Sequence, residues 1–160
     1  MNEAIIADAN LFSYTFGILT SRMEEGFAKQ NQMDMALIVP ATVNGAFACE
    51  LYMKSMLSSI PNEHKLDNLF NLLDSDVQTF ISKIMVDVGK AKNASYNGAK
   101  FMNELAQYGR SFQEWRYFYE YDPNIDINFI KNLVAALKGV VEARLKGIDF
   151  SSVDFGFLSP

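Results

Sequence analysis

Glu50 and Lys54 stand one helical turn apart inside Val43–Leu57, a segment whose other residues are mostly apolar. At about 100° per residue, Val43, Ala46, Phe47, Met53 and Leu57 define an apolar arc, and the two charges project into its centre. A charge taken out of water without a partner costs several kcal/mol or more. The pair must therefore be neutralised, face a polar cavity, or sit under another chain. A second pair at the same spacing, Arg116 and Glu120, lies on a later helix, with Arg116 on the shoulder of an aromatic seam. From there a guanidinium could reach Glu50 and form a bidentate pair. With His64, the cluster Glu50, Lys54, His64, Arg116 and Glu120 has two chemical readings. It can be a buried network that fixes helix register. It can also be a pocket for an anionic ligand or RNA, lined by Lys54, His64 and Arg116, with Arg110 and Arg144 as weaker additions. His64 has a further structural reading, as a cap on its own helix.

Other chemistries are poorly supplied. The chain has one histidine, so paired Glu-x-x-His motifs for a di-iron centre cannot be built. A zinc site would need more His and Cys than are present. No serine stands in a recognisable nucleophile context, and there is no phosphate-binding glycine loop. Neither a metal nor a cofactor is expected. The single cysteine, Cys49, falls at the edge of the same arc and reads as a small buried thiol.

The elements that must position these residues are nearly all helical. Asn2–Gln30 carries Ile5, Ala9, Phe12, Phe16, Leu19, Met23 and Phe27 in alternating steps of four and three, a long core-facing helix. Met35–Val39 precedes Pro40 and reads as extended, since proline disfavours helix in the residue before it. Ser58–Glu63 is a break, with Asn62 as a cap for a short helix over His64–Leu73. Ser75 and Gln78 have capping-box spacing and predict a short helix, Asp76–Val88. The polar stretch Gly89–Gly98 separates it from a helix with a seam of Phe101, Leu105, Tyr108, Phe112, Trp115 and Tyr119. Tyr121–Asn124 reads as a turn. Ile125–Lys146 is the last helix, with Lys138/Glu142 and Glu142/Lys146 paired outside. Arg144 faces its apolar arc near the end and can snorkel to water. These elements predict an all-α fold: an antiparallel bundle of four long helices plus short ones over residues 1–146. The tail 147–160 holds three phenylalanines and is expected to dock on the bundle.

The chain has 160 residues, 49% hydrophobic and 21% charged, which suits one domain with a sizeable core. A net charge of −5 disfavours a broad nucleic-acid-binding face, though not a local basic pocket. Neither a leader pattern nor a continuous apolar run of membrane-spanning length is visible, so a cytoplasmic protein with no membrane partner is expected.

Three segments resemble one family. Pro40–Lys54 (PATVNGAFACELYMK) is similar to the second-helix signature of bacterial HEPN-domain proteins, the "higher-eukaryote and prokaryote nucleotide-binding" helical bundles. His64–Leu73 (HKLDNLFNLL) is similar to that family's His-x-Leu-x-x-Leu-Phe segment. Phe112–Glu120 (FQEWRYFYE) is similar to a Trp-Arg-Tyr-x-x-Glu helix in one branch. The three occur in the family's order and span about half of the chain. The resemblance implies an antiparallel helical bundle, a homodimer, and a toxin–antitoxin, abortive-infection or other RNA-targeting defence setting. Many members are metal-independent ribonucleases with an Arg-x(4–6)-His motif. Here the positions after Arg110 hold Trp115, Arg116 and Tyr117, and those after Arg116 hold Tyr121, Asp122 and Pro123. Arg144 offers no histidine either. The expectation is therefore a non-catalytic HEPN-like protein that binds RNA, a nucleotide or a protein partner. One alternative is a ribonuclease that uses His64 with Arg116 and Lys54. Another is an accessory subunit whose charges are only a buried network.

Overall fold

The computed structural model describes the backbone of residues 1–114, 126–148 and 150 and, outside 109–114, their side chains. Seven α-helices make up most of it: α1 (Glu3–Lys29), α2 (Gln32–Met35), α3 (Ile38–Met56), α4 (Leu66–Asn71), α5 (Ser75–Lys92), α6 (Gly98–Glu114) and α7 (Ile127–Leu145). The fold is all-α, with no strand among the described residues.

Helix α3 is the centre. It packs against α1, α4, α6 and α7, while α5 closes the far side against α6 and α7. Its burial extends nearly all round, from Ala41 and Thr42 to Cys49, Tyr52 and Met53. That explains why Gln32–Met56 is long and apolar enough, by length and composition, to cross a membrane. A helix such as α3 that is packed against several others over most of its length needs the same apolar composition. This length was not visible as a continuous apolar run, because Glu50 and Lys54 interrupt it.

Met35–Val39 is helical rather than extended. α2 ends at Met35, and α3 begins at Ile38 with Pro40 in its first turn. A first-turn residue has no intrahelical acceptor for its N–H, so proline fits there without losing a bond. The Asn31 side chain caps α2, accepting from Met33 N at 3.1 Å. α1 ends at Gln30 in the left-handed region (φ 55°), and Gly26 lets α2 approach so closely that a β-carbon there would meet Asp34 backbone atoms at 2.9 Å.

α5 runs for 18 residues, so five long helices rather than four are present among the described residues. Ser75 and Gln78 do not form a capping box. Asp74 occupies the N-cap, and the Gln78 amide donates to Leu73 O at 2.7 Å, tying α5 back to the end of α4. α6 buries Phe101, Leu105 and Tyr108 as its spacing predicts, while Trp115, Tyr119, the 121–124 turn and the Phe112 side chain lie outside the described residues. Asp126 caps α7, accepting from Asn128 N at 2.9 Å. Lys138 and Glu142 approach to 3.9 Å, but Lys146 forms no ion pair with Glu142 among the described residues. Of the tail, Phe150 is buried and packs on Phe80 with ring centroids 4.8 Å apart.

Two consequences are measurable. Gly45 lies where α3 meets α1 and α7: a β-carbon there would meet Ile130 Cγ2 at 2.4 Å and the Phe16 ring at 3.0 Å. Gly45→Ala gains up to about 1 kcal/mol of helix propensity yet overpacks a rigid junction. A net loss of about 1–2 kcal/mol is expected in chemical denaturation, and Gly17→Ala, whose β-carbon would touch nothing within 4 Å, should not show it. Tyr108 supplies the second. Its hydroxyl accepts from Asp126 N at 2.7 Å and donates to Asp126 O at 2.9 Å, and its ring stacks on Phe129. Burial, chiefly, pushes this phenol up from 10.0 to about 12. The folded state therefore keeps the proton where the unfolded chain has lost it. This contribution to stability is complete below pH 10 and is expected to fall as pH rises towards about 12, an effect reduced in Tyr108→Phe.

Candidate functional site

Glu50 and Lys54 both point into the protein, as the wheel requires, with side chains 4% and 9% exposed. Their partner is each other. Lys54 Nζ donates to Glu50 Oε1 at 2.8 Å, within one helix. The i, i+4 spacing brings the two within reach with no help from another element. A second donor arrives from the segment between α3 and α4: His64 Nδ1 lies 2.9 Å from the same Oε1. A carboxylate only accepts, so Nδ1 carries the hydrogen in this arrangement. The imidazole is 48% exposed.

His64 does not open or cap a helix. α4 begins at Leu66, two residues later, with Lys65 at the N-cap and no side-chain bond from it. Glu63 does the local work instead. Its Oε1 accepts from His64 N and Lys65 N at 2.8 and 2.9 Å, and its Oε2 from Asn68 at 2.6 Å. The bond from Lys65 N, then those from Asn68 and His64 N, hold this carboxyl down at about 2. Asn62, the cap expected from sequence, has no such role. The signal for Glu63 was its spacing to Asn68, which places acceptor and donor either side of the first turn of α4. This knot fixes the backbone that presents His64 to Glu50.

The remaining members separate. Arg116 and Glu120 lie outside the described residues, as does the Arg110 side chain. Arg144 belongs elsewhere: it bonds Asp74 at 2.8 Å and lies 3.7 Å from Asp76, joining α7 to the start of α5. Cys49, one residue before Glu50, is fully buried, and burial pushes its thiol up, away from reactivity. One further feature was not foreseen. Asp67 Oδ1, in the first turn of α4, is buried without a hydrogen-bond partner.

The site can therefore hold an imidazole in one orientation by a buried, lysine-neutralised carboxylate. Lys54 cannot also serve as a free phosphate contact, because it is enclosed and bonded to Glu50. Among the described residues, no group of three or more His, Cys, Asp or Glu is arranged to hold a metal ion. No family model, curated protein or solved structure gives a significant match to this chain.

Proposed function

We propose that this chain is a non-catalytic, HEPN-like helical protein that works by protein–protein association, beginning with a homodimer formed through the outer face of α1. Supporting this reading, Lys54 is paired with Glu50 and Arg144 with Asp74 inside the fold, while α1 leaves an apolar face open. Leu11, Tyr14 and Ile18 are 65%, 71% and 51% exposed on one side of the helix. Contiguous exposed apolar surface of this kind marks interaction sites.

The face is self-complementary. Tyr14 and Ile18 form a ridge beside a groove floored by Asn10, Ser13, Gly17 and Ser21, with Lys138 of α7 on the other wall. Lys131 of α7 pairs with Glu24 of α1, so α7 reaches the flank of this helix. A second α1 laid antiparallel would seat its Tyr14–Ile18 ridge in this groove. The same patch then serves both copies, which is what a two-fold dimer needs. The defence setting implied by the family resemblance suits such an interaction subunit.

The test is the mass in solution of the wild-type chain and of Gly17→Trp. Space around Gly17 is open within one chain, so the variant should keep its helical circular dichroism and melting temperature at low concentration. It should shift the dimer dissociation constant by about 100-fold or more. A wild-type monomer at high concentration, or a dimer indifferent to Gly17→Trp, would overturn the proposal.

One observation favours a second reading. A carboxylate holding Nδ1 of a half-exposed imidazole is the arrangement of a general acid–base pair. If the chain is a ribonuclease, RNA cleavage should persist in EDTA and vanish in His64→Ala, with Arg116 the cation to substitute next.

A further inference from the structure

A second concave site lies away from the charge cluster, where the C-terminal end of α5 meets α6 and the first turn of α7. It is a cavity of about 170 Å³. At roughly 30 Å³ per water, that is room for about six waters, less than a drug-sized ligand needs and enough for a small metabolite. Its apolar wall is made by Met85, Val88, Phe129 and the Tyr96 ring.

That wall is held in place. The Tyr96 ring lies against the α5 backbone so closely that a β-carbon at Gly89 would sit 2.2 Å from it. Its hydroxyl donates a hydrogen bond to Glu104 Oε2. Burial and the Glu104 carboxylate both push this phenol up, so it stays a donor.

The polar rim carries charges of both signs. Asp126 is committed: Oδ1 caps α7, and Oδ2 lies 3.5 Å from Lys92 Nζ. That separation is longer than a direct charge-assisted hydrogen bond. Lys92 therefore retains donors for another acceptor. Glu104 uses one oxygen on Tyr96, and Oε1 accepts no hydrogen bond among the described residues. The Asn132 carboxamide also lines the cavity and can donate or accept.

We infer that this cavity binds a small zwitterion with an apolar side chain, the chemical class of a free aliphatic amino acid. The ligand's ammonium meets Glu104 Oε1, its carboxylate meets Lys92, and its side chain fills the space between Met85, Val88 and Phe129. A ligand with only one charge leaves either the ammonium or the carboxylate of the rim unmatched. This site is independent of the α1 face and of His64.

The experiment is a titration of the full chain, followed through backbone amide resonances, with L-leucine, isopentylamine and 4-methylpentanoate. L-Leucine should cause saturable shifts at Gly89, Asn93 and Tyr96, and each one-charge analogue should bind about 10-fold or more weakly. Val88→Trp places an indole in the cavity from a partly exposed position and should abolish the shifts. Glu104→Gln keeps an acceptor for Tyr96, so the fold should hold. It should weaken L-leucine and isopentylamine while leaving 4-methylpentanoate unchanged. Three results would overturn the inference: no saturable shift with L-leucine, equal binding of all three probes, or L-leucine binding that survives both substitutions.

Discussion

Lys54→Met is expected to lower the stability of the fold by about 3–5 kcal/mol, the largest effect of any surface-neutral change in charge pattern here. The substitution keeps the length and bulk of the side chain but leaves Glu50 buried at 3% exposure with only His64 as a donor. A buried carboxylate that has lost its cation pays the desolvation cost without compensation. The double variant Glu50→Leu, Lys54→Met should recover most of the loss, because two apolar side chains of similar volume need no partner. Urea denaturation of the two single variants and the double variant gives the coupling directly. If Lys54→Met alone stays within about 0.5 kcal/mol of wild type, the pair is not enclosed as described. His64→Ala should cost less than Lys54→Met, since the imidazole is half exposed and water can replace its bond.

Phe101→Ala is expected to cost about 3–5 kcal/mol as well, by a different mechanism. The ring is fully buried. It meets Phe70 edge-on at 5.4 Å and Phe129 at 6.1 Å, so one side chain ties α6 to α4 and α7. Phe129 in turn stacks on Tyr108 at 5.1 Å. Removing Phe101 opens a cavity between the Phe70 and Phe129 rings that cannot close without moving two helices. The loss should therefore appear in global stability and in faster amide exchange around Tyr108 and Asp126. Leu72→Ala, at a position 54% exposed, should stay within about 0.5 kcal/mol. Similar costs for Phe101→Ala and Leu72→Ala would contradict the packing.

The charge cluster shows how far local spacing carries. That Glu50 and Lys54 face inward followed from the wheel alone, because an apolar arc has one direction. Their pairing with each other was equally legible, since i and i+4 side chains are neighbours on any helix. The expectation looked instead across the bundle to Arg116. His64 was grouped with Lys54 and Arg116 as a candidate pocket residue, but its actual contact with Glu50 depends on Glu63 folding the chain between α3 and α4. Nothing in residue type or spacing fixes that loop geometry. The length of α5 was underestimated for a related reason: Gly89 and the lysines after it look like a linker, yet the glycine is where the Tyr96 ring needs access to the backbone.

By itself the sequence determined that the described residues are mostly helical, which faces of α1, of α6 as far as Tyr108 and of α7 turn inward, apart from Phe27, which its spacing turns to the core but which is 50% exposed at the end of α1, and that two charges sit within the core. These are properties of periodicity, which the chain carries at every residue whatever its neighbours do. Only the tertiary structure decided that Pro40 begins a helix rather than ending a strand, that Lys54 is closed off from ligands, and that α5, α6 and α7 leave a small two-signed cavity between them. Each of these depends on how close two helices approach. That distance is set by which groups meet at Gly26, Gly45 and Gly89 above all, where a missing β-carbon lets another segment in.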